Sequence, residues 1–440
     1  MSISHCLFLF CILTKSFTLD HHETQHERKR KVDNTWDLTR EEADKIKRIP
    51  PPSNFCREEY DPDYIFNFCP NYTNISVVLY HPVFGRFKDQ SLEEQDAKPI
   101  DIENVVNLLH EMAKTYPVED HRLLAFQELM GKILGHPVKK FAINNCAADG
   151  AVTCNVQTKQ YALLILEAKN NLGTAGDAYF QVTGSYGRYL ATIDDYERYC
   201  NPCFLLHLHG SWLGISGAAF GKKIIVEPLT HMIPLLPMLH HPKHLSMIIS
   251  VIKALKNGLN ELKIHYETVK PDSIDIPRQS CFPYPKSFSN NNGDMIKFIY
   301  LKELYEKKSL FLIQDEKAKQ YVVKFVPNNY GADAHRYCQD LKIAPELIAV
   351  ENIEGNWKMI VIEYLSPDIY TDLYSYLKCQ ISDQYLLKKK AMEIIELLHN
   401  GGFVHGDLRP SNIMISLSET EDKVLKLIDF DWSGKACNTK

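Results

Sequence analysis

A twelve-residue stretch near the carboxyl end, FVHGDLRPSNIM (403–414), constrains the fold of this chain more than any other. It follows AMEIIELLHN, whose apolar spacing predicts a helix, and Gly401–Gly402, which stops it. The stretch therefore reads as a loop entering a short strand, with Asp407 and Asn412 pinned between two apolar elements. Seventeen positions after Asn412, the strand VLKLI delivers Asp429 at its end. A loop carboxylate, a loop amide and a strand-end carboxylate suit a magnesium–phosphate site, because Mg²⁺ takes oxygen ligands and is usually held by one or two carboxylates plus substrate phosphates. Phosphoryl transfer asks for positioning and charge neutralisation more than for covalent chemistry.

HGDLRPSN resembles the protein-kinase catalytic loop H-R-D-L-x-x-x-N at each fixed position except Gly406, where the family has Arg. The resemblance implies that Asp407 accepts the proton of the attacking hydroxyl. Asn412 and Asp429 would hold the metals, Asp429 standing first in the place of D-F-G, with Asp431 where the family has Gly. Upstream, YVVKF would put Lys324 on the third strand of the smaller lobe, against phosphates. MIVIEYL would be the fifth strand, running into a hinge whose backbone at Glu363, Tyr364 and Leu365 meets adenine. ATP and Mg²⁺ are the implied cofactors, and a protein Ser or Thr hydroxyl the implied acceptor. A small-molecule acceptor stays open, since aminoglycoside-type phosphotransferases also carry H-G-D loops.

The departures bear on activity. No glycine occurs in 294–324, so the Gly-rich phosphate loop is missing. No Glu lies between Lys324 and Pro345, which leaves Asp333, His335 or Asp340 as substitutes for the usual ion-pair partner of the strand Lys. Gly406 removes an Arg that grips a phosphorylated activation loop. Lys440 comes eleven residues after Asp429, so a truncated C-lobe is expected, and a nucleotide-binding pseudokinase is an alternative.

Further upstream, the helical patterns IENVVNLLHEMAKTY and HRLLAFQELMGKILG precede apolar runs of strand length: AVTCNV, YALLILEAK, FLLHLHG, WLGISGAAF and KKIIVEPL. The helix MIISVIKALKNGLNEL closes this block. Asp149, then Glu167 and Lys169 on the following strand, spell D…E-x-K. This resembles the restriction-endonuclease-like core, PD-(D/E)xK, in which Asp149 and Glu167 would hold Mg²⁺ and Lys169 would orient water for phosphodiester hydrolysis. Glu128 and Gln181 stand where that fold places assisting residues. The structural alternative is a buried strand with Asp149–Gly150 as a hairpin turn. Together the two halves, with YGADAH, APEL, HGDLRPSNI and DFDWSGK, resemble crinkler-type effector proteins, which are associated with secretion and with nuclei.

The fold class expected is α+β: a protein-kinase-like C-terminal domain with a truncated C-lobe, preceded by an α/β restriction-endonuclease-like domain. The boundaries are a flexible leader at 1–55, the nuclease-like domain at 100–265, a Pro/Ser/Asn-rich linker at 266–293 and the kinase-like domain at 294–440. The leader holds CLFLFCIL, too short to span a bilayer and readable as a signal-peptide core or an ordinary apolar segment. It also holds RKRK (28–31), a nuclear-import patch or a solvated linker run. Nucleus and secretion are the two localisations these features favour, and no transmembrane segment is expected. A net charge of −5 excludes a globally basic nucleic-acid binder but leaves DNA as a partner of a local patch. Of twelve Cys, only Cys200 and Cys203 fall at CxxC spacing; buried thiols are the expected reading there, with His207 and His209 as the zinc alternative. Three functions follow: a protein phosphotransferase, a Mg²⁺-dependent DNA nuclease with a regulatory or vestigial kinase-like part, or a non-catalytic interaction protein.

Overall fold

The computed structural model describes residues 75–436, apart from 144–145, 172–175, 194–198, 222–223, 239, 269–281, 291, 306–308, 380–383 and 419–422. The leader and both of its motifs lie outside the described residues. The described residues form two compact units, one from those up to Pro285 together with Glu354–Asn356 and the other from Lys286–Ile353 and Trp357 onward.

The first unit begins earlier than the expected residue 100. A single 3₁₀ turn, Val77–Leu79, is fully buried, and helix α1 (Pro82–Leu92) buries Phe84 and Phe87. Helices α2 (Pro99–Met112) and α3 (Glu119–Leu134) follow. Gly135, at φ +72°, closes α3 in the left-handed conformation that a residue without Cβ adopts at least cost. The sheet comprises β1 (Lys139–Ile143), β2 (Cys146–Val156), β3 (Lys159–Lys169), β4 (Cys203–His209), β5 (Trp212–Phe220) and β6 (Ile224–Pro228) in that spatial order, with β7 (Ile233–Pro234) beside β5.

Among the described strands, only β3 and β4 pair in parallel. Parallel neighbours need a crossover, and helix α4 (Ala178–Leu190) supplies it. Alternation then assigns two faces to β4. Phe204 points to α1, its ring 5.4 Å from those of both Phe84 and Phe87. Gly258, on helix α5 (Pro242–Thr268), lies against the same ring, where a Cβ would come within 2.7 Å of it. The opposite face, carrying His207 and His209, lies under α4, where the Tyr179 ring centre is 5.0 Å from that of His207.

Asp149 and Gly150 are not a hairpin turn. They sit inside β2, where Gly150 pairs with Leu166 of β3. The linker expected at 266–293 is also shorter. Its first residues complete α5, and β8 (Ser287–Ser289) opens the second unit.

In the second unit, β9 (Met295–Tyr305), β10 (Leu310–Asp315) and β11 (Gln320–Pro327) form an antiparallel meander. Helix α6 (Ala332–Asp340) and strands β12 (Leu347–Ile353) and β13 (Trp357–Glu363) complete a six-stranded sheet in the order β12-β13-β11-β10-β9-β8. After β13 come β14 (Tyr370–Asp372) and helices α7 (Leu373–Cys379) and α8 (Gln384–Asn400). Short ladders follow: β15 (Phe403–Val404) with β18 (Gly434–Lys435), and β16 (Ile413–Ser416) between β14 and β17 (Leu425–Leu427). One core joins these pieces: Leu373, Leu387 and Leu398 from the helices, Ile415 and Leu427 from the strands, Phe430, and Ala334 and Cys338 from α6. Among the described residues, no helix is long and apolar enough to cross a membrane.

Candidate functional site

Helix α8 ends at Gly401–Gly402, and β15 leads directly into His405–Gly406–Asp407. Gly406 has φ +81°, and a Cβ there would lie 2.3 Å from the Trp432 carbonyl oxygen. The loop is fixed at several points. A ring nitrogen of His405, Nε2, lies 3.0 Å from the Ile428 carbonyl, and Ser433 Oγ donates to His405 O at 2.8 Å. Asn412 Nδ2 donates both to the Asp407 carbonyl, at 2.8 Å, and to Asp407 Oδ2, at 2.9 Å. This leaves the amide oxygen of Asn412 as the hard donor of the pair. The backbone N–H of Ile428 donates to Asn412 O at 3.0 Å, so the Asp407–Asn412 loop and the turn bearing Asp429 are tied together.

Asp429 follows β17 with φ +69°, a conformation that an L-residue holds only when its surroundings enforce it. Lys324, on β11, is 6% exposed. Its ammonium donates to Asp429 Oδ1 and, at 2.6 Å, to Asp431 Oδ2. A buried ammonium without an anion is strongly unfavourable, so this contact holds the sheet lysine against the turn that carries Asp429 and Asp431.

None of Asp333, His335 and Asp340 pairs with Lys324. The two aspartates are exposed. His335 is buried, with Nδ1 2.7 Å from Tyr330 Oη and Nε2 2.9 Å from the Pro345 carbonyl. Burial lowers its pKa to about 4, so the neutral ring stacks flat on Phe430, 4.4 Å away and 7° from parallel.

At the hinge, the Glu363 N–H is already given to Glu346 O at 2.9 Å, and the Glu363 carboxylate accepts from Lys426 at 3.1 Å. Of the three residues expected to meet adenine, Glu363 thus has its N–H engaged, while Tyr364 and Leu365 are half-buried. The loop joining β9 and β10 includes 306–308, outside the described residues. Sequence reasoning missed Arg409, which reaches Asp407 Oδ2 at 3.2 Å. Its signal was available: a cation two positions beyond the loop carboxylate.

In the first unit, Asp149, Glu167 and Lys169 do gather. Gly150 pairs with Leu166, which brings Asp149 beside Glu167, and Asp149 Oδ2 accepts from the Ala168 N–H at 2.8 Å. Burial raises the Asp149 carboxyl; burial, and then the Asp149 charge, raise that of Glu167. Ser185, on α4, donates to Glu167 Oε1 at 2.6 Å. Glu128 is exposed and takes no part. The α3 residues that reach the site are Gln127, whose Nε2 donates to Asp149 O at 2.6 Å, and Glu119, 3.0 Å from Lys169 Nζ. Gln181 is buried on α4, its Nε2 close against Gly176.

Register places His207 beside Glu167 and His209 beside Lys169. Burial lowers the pKa of both imidazoles, that of His207 to about 4. Cys200 and Cys203 are buried thiols that donate to the carbonyls of Tyr80 and Phe204. Among the described residues, no three His, Cys, Asp or Glu side chains gather as a ready-made metal cage. Magnesium at either pair of oxygen donors would complete its shell with phosphate and water.

Two solved structures with which the chain was compared are kinases. The granulovirus kinase PK-1 of Cydia pomonella is 21% identical, with 31% of this chain and 52% of that one covered and a TM-score of 0.27. Vaccinia related kinase 3 is 13% identical, with 35% and 53% covered and a TM-score of 0.27. The chain thus spans about half the length of each. Residues 312–440 match the family model described as the protein kinase domain, so the chain carries a kinase-like domain at its C-terminal end.

Proposed function

We propose that the second unit binds Mg²⁺–ATP and transfers phosphate to a Ser or Thr hydroxyl on protein. The observation that carries this reading is the buried Lys324 ammonium held against Asp429, beside a loop on which Asp407 and Asn412 are hydrogen-bonded together. The donor set fits the cofactor: an ammonium for phosphate oxygens, and a carboxylate and an amide oxygen for a hard cation. Bound Mg²⁺–ATP supplies the phosphoryl group and neutralises its developing charge. The protein groups have separate tasks. Asp429 and Asn412 hold the cation, Lys324 orients the phosphates, and Asp407 accepts the proton of the incoming hydroxyl. Arg409 holds the Asp407 carboxylate in place.

Thermal unfolding tests the reading. A ligand at a hundredfold excess over its Kd stabilises the native state by about 2.7 kcal/mol, which raises Tm by several degrees. Wild-type protein is expected to show that rise with Mg²⁺–ATP, and Asp429→Ala to lose it. Absence of any rise in the wild type ends the reading.

A second reading is favoured by one observation. Asp149 and Glu167 face each other on neighbouring strands, with Lys169 one step along and the α4 crossover behind them. A buried Glu167 carboxyl whose pKa is raised by burial and then by the Asp149 charge makes a site a divalent cation would relieve. We read this as a nuclease-like centre of restriction-endonuclease type acting on DNA, in an arrangement that resembles crinkler-type proteins. Mg²⁺-dependent cleavage of plasmid DNA, lost in Glu167→Ala, is the expected result; equal background cleavage by both proteins refutes it.

A further inference from the structure

We propose that Asp431 is the positioning residue for Lys324, taking over the task of an acid on helix α6; its consequence for nucleotide binding rests on the phosphotransferase reading above, but the contact itself does not. The lysine is buried and needs a stable anion. Helix α6 has none to give, since Asp333 and Asp340 face solvent and His335 is committed to Tyr330, Pro345 and the Phe430 ring. Both anions come instead from the turn after β17, Asp429 and, at 2.6 Å, Asp431. These two carboxylates have different fates. A cation held by Asp429 draws that group away from the ammonium, and Asp431 is then the partner that remains.

The turn is built to hold Asp431 in place. Residues Phe430–Trp432 form one 3₁₀ turn, closed by Ser433 N donating to Phe430 O at 3.1 Å. Gly331 N, at the start of α6, donates to the same carbonyl at 3.1 Å. A Cβ on Gly331 would lie 2.7 Å from the Ser433 Cβ, so the helix start and the turn are in close contact. Ser433 Oγ is fastened to His405 O. With the family's glycine at 431, the turn would keep its shape and lose the anion. Alignment of the phosphate-binding lysine is therefore set by the metal-binding turn itself, not by a helix that swings in or out.

The test uses the full chain with Asp431→Asn, Asp431→Gly and Asp431→Glu, and two readouts. The first needs no nucleotide: the rate at which an acetylating reagent modifies Lys324, followed by peptide mass spectrometry. The second is ATP affinity, measured with Mg²⁺ and again with EDTA. Asp431→Asn and Asp431→Gly are expected to acetylate Lys324 several-fold faster and to bind ATP about tenfold more weakly with Mg²⁺, and less so with EDTA, where Asp429 stays on the ammonium; Asp431→Glu recovers both properties. Unchanged acetylation in Asp431→Asn and Asp431→Gly overturns the proposal. A loss of affinity with Mg²⁺ while acetylation stays unchanged also overturns it, by making Asp431 a metal ligand. Should the wild type bind no ATP while acetylation still responds to Asp431, the phosphotransferase reading falls and the anchoring role stands.

Discussion

Asp407→Asn is expected to slow phosphate transfer by about 10²–10⁴-fold while leaving ATP affinity nearly unchanged. The substitution removes the proton acceptor and almost nothing else. Asn412 Nδ2 keeps its 2.8 Å bond to the Asp407 carbonyl, so the loop retains its main fastening. The ion pair with Arg409 is lost, but that guanidinium is half exposed, and such pairs contribute little to stability. The measurement is transfer of labelled γ-phosphate to the chain itself or to an added protein acceptor, beside nucleotide binding on the same preparation. A variant that transfers at the wild-type rate removes Asp407 from the role of base. A variant that transfers slowly because it no longer binds ATP gives it a binding role instead.

Gly406→Arg, which restores the residue usual in the family, is expected to destabilise the second unit by about 3 kcal/mol or more. Two causes add. The residue sits at φ +81°, a region that arginine adopts only under strain, and its Cβ would be 2.3 Å from the Trp432 carbonyl oxygen. That oxygen is backbone, belonging to the turn that carries Asp431, so relief requires moving the turn. Urea unfolding reads the effect, and Gly406→Ala separates the cost of the Cβ from that of the longer side chain. Wild-type stability in both variants would mean that the loop follows a different path. The departure at 406 is thus matched to Trp432 and is not simple decay of a motif.

Much of the candidate site was legible because its residues lie on short loops between strongly apolar elements. Lys324 lies inside β11, where a period of two fixes its face, and Asp407, Asn412 and Asp429 lie on a loop and turns bounded by Gly401–Gly402 and the short strands β15, β16 and β17. The partner of Lys324 was not legible in the same way. Asp431 lies 107 positions away, and local pattern carries no information about which of several acids closes such a distance. The same limit applies to α3. Its periodicity marks the buried stripe of Phe126 and Met130 but does not say whether Glu119 or Glu128 reaches β3. Strand β9 was hidden for another reason. MIKFIYLKELY mixes lysine and glutamate into its exposed face, and these residues are uncommon in strands. Strand β12 was hidden because Glu351 and Asn352 interrupt its apolar run.

The flat stack of His335 on Phe430 also limits how far the turn after β17 can move. In this protein the ring is clamped beneath an uncharged imidazole that is itself held at both nitrogens. Any motion that lifted the phenyl ring from its seat would first have to break an aromatic sandwich and two further bonds, which anchors the turn that begins at Phe430.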